Sequence, residues 1–152
     1  MKKGKYVIML LVLLADQIVK AMIRGALSPG ESIDFLGSFM SLTYVQNTGA
    51  AFSMLRGMTW LLVLIPAILV VLGIWYMEKH DREHWSLYLG LALVIGGGVS
   101  NLIDRVAAGF VTDMFDVHFW PVFNVADIAI CVGCGIFIIY ILRYHGKAQD
   151  EL

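Results

Sequence analysis

Four stretches of this chain are apolar for long enough to cross a lipid bilayer, which restricts it to a small set of architectures. A hydrocarbon core of about 30 Å takes about 20 helical residues at ~1.5 Å rise each. Residues 6–23, 59–77, 85–103 and 119–142 approach or exceed that length. No water reaches backbone groups at that depth, so each stretch must satisfy its own N–H and C=O groups and is expected to be a helix. Pro66 falls inside the second stretch, where neighbouring helices can re-satisfy the carbonyl it frees.

Composition agrees. Hydrophobic residues make up 59% of the 152 and charged residues only 15%, and the mean hydropathy of +0.78 exceeds what a soluble domain carries. A net charge of -1 argues against a nucleic-acid partner, which would call for a clustered excess of Lys and Arg. The expected fold is a mainly α membrane protein: one integral membrane domain, residues 1–152, with four transmembrane helices and outward segments at about 25–58 and 104–117.

The opening Met1-Lys-Lys-Gly-Lys5 before an apolar run resembles a secretory signal. No Ala-x-Ala site follows Leu14 and Ala15, and the helical pattern continues through Asp16 and Lys20, so the segment reads as a retained span. Lys2, Lys3, Lys5, Lys79, Arg82, Arg143 and Lys147 fall on one side, against Arg24, Arg56 and Arg105 on the other. The bias of basic residues places both termini in the cytoplasm. Trp60, Trp75, Trp85, Trp120 and Tyr140 stand near span ends, where aromatic rings prefer the headgroup boundary.

The outward side then carries the extra mass. Residues 38–45 alternate loosely through Phe39, Leu42, Tyr44 and Val45, which predicts a short strand pair lying on the membrane. The run from Gly49 to Ser53 predicts a flexible turn and then a short interfacial helix. A platform this small cannot fold alone and must lean on the helices.

Counting depth from the outer end of each span makes the polar residues converge. Asp16 and Lys20 lie in the outer half of the first span, four apart and able to pair. Asn101, Asp104 and Arg105 close the third span, and Asn124 and Asp127 open the fourth. Asn101 with Asp104, and Asn124 with Asp127, are three apart and share a helical face. Asp113, in the connection between the third and fourth spans, can fold over the same place.

A carboxylate at such depth costs roughly 2.5–3.5 kcal/mol on insertion scales, so it marks a functional site by default. Hydrogen bonding between helices is an equally good account of Asp16, Lys20 and Asn101. It strains for Asp113 with Asp127, since two neighbouring carboxylates in a partly dry site cannot both ionise cheaply. One proton shared by two carboxyls, one acting as base towards water and the other as acid towards a carbonyl, is what aspartyl hydrolysis requires.

Two other classes compete. A proton- or ion-coupled transporter would use Asp16, Lys20 and Asp127 as a relay, but the sequence shows no inverted repeat and its acidic groups gather near one face. A metal-dependent hydrolase would need more ligands than this group offers, and no metal or cofactor is expected. Cys131 and Cys134 form a Cys-x-x-Cys pair inside an apolar span and read as packing, not as a redox or zinc site.

Five segments taken together resemble the motif set of lipoprotein signal peptidase, the type II signal peptidase of bacteria. They are Asp16-Gln-Ile-Val-Lys20, Asn47-Thr-Gly-Ala-Ala-Phe52, Gly97-Gly-Val-Ser-Asn-Leu-Ile-Asp-Arg105, Val111-Thr-Asp113 and Phe123-Asn-Val-Ala-Asp127. The resemblance implies an aspartyl endopeptidase of the cytoplasmic (inner) membrane, with its active site at the outer face. It would remove the signal peptide of a lipid-modified prolipoprotein, cutting before a diacylglyceryl cysteine. Membrane lipid is the other partner expected, and a monomer is the expected state. Asp113 and Asp127 match the family's catalytic pair. Asn47, Asn101, Arg105 and Asn124 match polar residues lining its substrate site, and Asp16, Lys20 and Asp104 match supporting positions. Ser100 departs from the pattern, standing where the family commonly has glycine, and is expected to crowd a close helix contact.

Overall fold

The computed structural model describes residues 3–49, 59–80 and 84–144. The elements run α1 (Gly4–Ala26), β1 (Ser32–Asp34), β2 (Ser41–Asn47), α2 (Thr59–Lys79), α3 (Trp85–Ala108), β3 (Val111–Asp116) and α4 (Val125–Tyr144). All four helices are long and apolar enough to span a membrane. Three of them, α1, α2 and α4, turn most of their apolar side chains outward: Leu69 is 61% exposed and Leu142 74%. Water would penalise that surface, whereas hydrocarbon accepts it.

The third helix is the hub. Half of its apolar window is buried, and it packs against α1, α2 and α4. Glycine makes the closest approach possible. A Cβ placed on Gly97 would lie 2.5 Å from the Ala126 carbonyl oxygen of α4, and one on Gly90 would lie 2.9 Å from the Gly133 carbonyl oxygen. Small residues at such crossings let helix backbones touch, the main source of helix adhesion where no hydrophobic effect operates. Gly109, in the left-handed region at φ +80, ends α3 and returns its N–H to the Arg105 carbonyl.

The ends of the bundle differ. At one end the buried Lys5 ammonium binds the Met77 carbonyl at 2.9 Å and the Glu78 carboxylate at 2.6 Å, tying α1 to the end of α2. At the other end sits a three-stranded antiparallel sheet in the order β1-β2-β3, with Ser32 opposite Thr43 and Val45 opposite Asp113. Tyr44 and Met114 pack on Ile23 and Leu27, so the sheet rests on the end of α1.

Three expectations need adjustment. The strand pair centred on 38–45 is in fact β2 running to Asn47, with partners on both edges, and Asp113 lies within β3, not in a free loop. The fourth span was expected from residue 119, but α4 begins at Val125, because Phe123 pairs with Phe115 and Pro121 interrupts the apolar run before it. The segment from Gly49 to Ser53, read as a turn and interfacial helix, falls from residue 50 onward outside the described residues.

Candidate active site

The site forms where β2, β3, the end of α3 and the start of α4 meet, around a cavity of about 490 Å³. Its lining includes Asn47, Asn101, Arg105, Asp113 and Asp127 on the polar side, and Trp120, Pro121, Val122, Ile130 and Cys131 on the apolar side.

Asp127 is fixed by the way α4 starts. Asn124 caps the helix: its Oδ1 accepts the Asp127 N–H at 2.9 Å, while its own N–H donates to Asp127 Oδ2 at 3.2 Å. This reciprocal arrangement is a capping box, with the aspartate at the third helical position. It sets the carboxylate against the positive end of the α4 dipole, which favours negative charge. The carboxylate accepts a second bond, at Oδ1, from Asn101 Nδ2 at 2.8 Å.

Asp113 reaches the same spot from the sheet. Asn124 Nδ2 donates to its Oδ1 at 2.7 Å and Asn47 Nδ2 to its Oδ2 at 2.8 Å. Only 2% exposed, this carboxyl is pushed up to about 7, first by burial and then by the Asp127 charge. Donation from Asn47 and Asn124 and the positive charge of Lys20 oppose the rise. Arg105 reaches across to the Gly49 carbonyl at 3.3 Å, and its buried Nε has no partner among the described residues.

The supporting residues lie behind the cavity, not in it. Lys20 and Asp16 are fully buried and joined at 2.7 Å, and Lys20 also meets Asp104 at 3.1 Å. Asp16 Oδ1 accepts the Ala126 N–H at 2.8 Å, satisfying an early amide of α4 from a different helix. Asp104 receives Gln17 at 3.0 Å, the Thr112 N–H at 3.1 Å and Arg24 at 3.6 Å. Arg105 and Asp104 do not pair: adjacent helical residues point about 100° apart, so Asp104 faces α1 while Arg105 faces the cavity.

Ser100 does not crowd a contact. Its hydroxyl donates to Asp16 Oδ2 at 2.7 Å and accepts from Gln17 Nε2 at 2.9 Å, and the tight crossings belong to the glycines. Gln17 and Thr112 were missed by the sequence reading. Gln17 stood inside a quoted motif, a polar residue in an apolar span, and that was signal enough. Cys131 and Cys134 are free and exposed on α4, so neither packs in a core, and Cys131 forms part of the cavity wall. Asn47 and Asp113 belong to paired strands and are hydrogen-bonded to each other.

Four apolar helices with two carboxyls facing one cavity at an end of the bundle define a multi-pass membrane protein. Comparison with known proteins specifies it further. The model of the signal peptidase (SPase) II family matches residues 8–143, and the chain belongs to that family of membrane peptidases. It is 44% identical over 139 residues to the lipoprotein signal peptidase of Streptococcus pneumoniae, covering 90% of this chain and 91% of that one. It is 45% identical over 144 residues to that of Moorella thermoacetica, covering 93% and 95%. Among solved structures, two bacterial membrane enzymes determined by the in meso method superpose with TM-scores of 0.90 and 0.85, at 26% and 27% identity. The first covers 95% of this chain and 91% of that one, the second 93% and 94%.

Proposed function

We propose that the chain removes the signal peptides of bacterial prolipoproteins by aspartyl hydrolysis, with Asp113 and Asp127 as the catalytic pair. The observation that carries this reading is the double attachment of Asn124. One residue bonds both carboxyls, through Nδ2 to Asp113 and through its backbone N–H to Asp127, on the wall of a single cavity.

The roles follow from the surroundings. The Asp127 carboxylate accepts two donors at a helix N-terminus and serves as the base that takes a proton from water. Asp113, titrating at about 7, keeps its proton while donating a hydrogen bond to the scissile carbonyl oxygen as the carbon becomes tetrahedral. Water attacks directly, so no acyl-enzyme forms. The proton on Asp113 passes towards the leaving amine while Asp127 holds the one taken from water, and the pair titrates as a unit. Arg105, with its Nε unengaged, offers a donor to the substrate backbone or to the developing oxyanion.

The substrate is a membrane-embedded signal peptide cut before a diacylglyceryl-modified cysteine. Supporting this, the apolar side of the cavity continues through Ile130 and Cys131 onto the outward face of α4, where lipid-borne groups can enter sideways. The basic residues at the Lys5 end favour a cytoplasmic location for both termini, which puts the cavity at the extracytoplasmic face.

The test is Asp113→Asn and Asp127→Asn, made separately and assayed for cleavage of a prolipoprotein peptide carrying the lipidated cysteine in detergent. Each should lose turnover by about 100- to 10,000-fold. Near-normal turnover in either variant would overturn the mechanism.

A further inference from the structure

Lys20 is fully buried behind the cavity wall, on α1, and touches neither the cavity nor either carboxyl of the pair. An ammonium donates and never accepts. Its donors go to Asp16 Oδ2 at 2.7 Å, to Asp104 Oδ2 at 3.1 Å and to Asn101 Oδ1 at 2.8 Å. The first two are charge neutralisation within the bundle. The third is different, because the far end of the Asn101 amide is the group that holds Asp127.

We propose that Lys20 is a positioning residue for the reaction: it fixes which way round the Asn101 amide stands, so that Asp127 meets a hydrogen-bond donor and not an acceptor. The inference rests on the two-aspartate reading and adds to it.

An asparagine amide has two ends of nearly equal shape and opposite polarity, and its network decides which end points where. Turned over, Asn101 would set its NH₂ against the Lys20 ammonium and its oxygen against the Asp127 carboxylate. Both contacts would become repulsive. The neutral Asn124 Nδ2 also reaches Asn101 Oδ1, at 3.1 Å, but the same nitrogen is committed to Asp113 at 2.7 Å. The charge-assisted bond from Lys20 is therefore the stronger constraint. The order runs from ammonium to Asn101 oxygen, then from Asn101 nitrogen to the carboxylate, one step from α1 through α3 to α4.

The charges facing this chain from every side are consistent with that role. On the buried side, Asp16 and Asp104 are balanced by Lys20 and by Arg24, which lies 3.6 Å from Asp104. On the cavity side stand Asp113, Asp127 and Arg105. The positive charge of Lys20 holds down the affinity of Asp113 for its proton, so its loss should be visible in the pH profile.

The test is a double-mutant cycle on turnover, in an Asp16→Asn background so that losing the cation leaves no uncompensated carboxylate beside it. The variants are Lys20→Met, Asn101→Leu and both together, assayed on the lipidated peptide in detergent. Each single change should lower kcat by about 10- to 100-fold relative to the Asp16→Asn parent, with KM within about threefold. The pair should be no slower than the slower single, because one residue acts through the other. Lys20→Met should also move the alkaline limb of kcat, set by the proton on Asp113, to higher pH, which a purely structural loss would not do. Parent-like turnover in Lys20→Met, or losses that multiply, overturns the proposal. If Lys20→Met does not fold, Asn101→Leu alone decides, since parent-like turnover there removes the link. Asp113→Asn and Asp127→Asn run alongside: if they stay active the dyad reading fails, and if they are dead while the cycle is additive only this inference fails.

Discussion

Raising the pH should cost this fold stability through one carboxyl, and the size of the effect can be worked out. Asp113 keeps its proton up to about 7 in the folded protein, against an ordinary value of 3.8. The gap of about three units, at 1.36 kcal/mol each, sets a ceiling of about 4 kcal/mol. The sign follows from the direction of the shift. Below 3.8 both folded and unfolded chains are protonated and nothing is lost; stability falls as pH rises through the interval and levels off above 7. Asp113→Asn does not titrate. It carries a fixed cost of about 1–3 kcal/mol, because Asn47 and Asn124 both donate to this position and one must now face an NH₂. The variant should therefore unfold more easily than the parent near pH 4.5 and less easily near pH 8. Thermal unfolding in detergent, followed through the emission of the 4 tryptophans at steps of about half a pH unit, would show the curves crossing. Parallel curves across that range would refute both the burial argument and the role of Asp113 as proton carrier.

Gly97→Ala forces a methyl group to within 2.5 Å of the Ala126 carbonyl, so it should destabilise by about 1–3 kcal/mol and slow cleavage by moving Asp127 away from Asn101, whereas Gly135→Ala, with open space around it, should be neutral or stabilising by up to about 1 kcal/mol in the same thermal assay. Ser100→Ala removes a donor from the buried Asp16 carboxylate and should cost about 1–3 kcal/mol, measured as a lower unfolding temperature. Among the described residues no three His, Cys, Asp or Glu gather as metal ligands, so millimolar EDTA should leave peptide cleavage unchanged; loss of activity restored by a divalent cation would count against the two-aspartate mechanism.

What could be read from the residues in advance divides along a physical line. Helix periodicity and bilayer length are local properties, so the four spans and the Asp16–Lys20 pair could be seen in the sequence. The worst-placed boundary, at the start of α4, came from treating Phe119 to Phe123 as membrane filler because they are apolar; the third span also runs on to Ala108, beyond its expected end at 103. Asn124-x-x-Asp127 is itself a capping signal, and reading it as one, not merely as two residues on a shared face, would have started the helix at Val125. Ser100 shows the opposite limit. Nothing in its neighbourhood along the chain reveals that α1 presents Asp16 and Gln17 to it, because the register between two packed helices is a property of the assembled bundle. The same holds for β3: Val111-Thr-Asp-Met-Phe-Asp116 is buried on both faces at its start and shows no clean alternation, so only its pairing with β2 makes it a strand. That pairing has a chemical consequence. A carboxyl on a loop would solvate and ionise, whereas one held in a ladder, between Asn47 and Asn124, stays dry enough to titrate at about 7 and not in the ordinary carboxylate range.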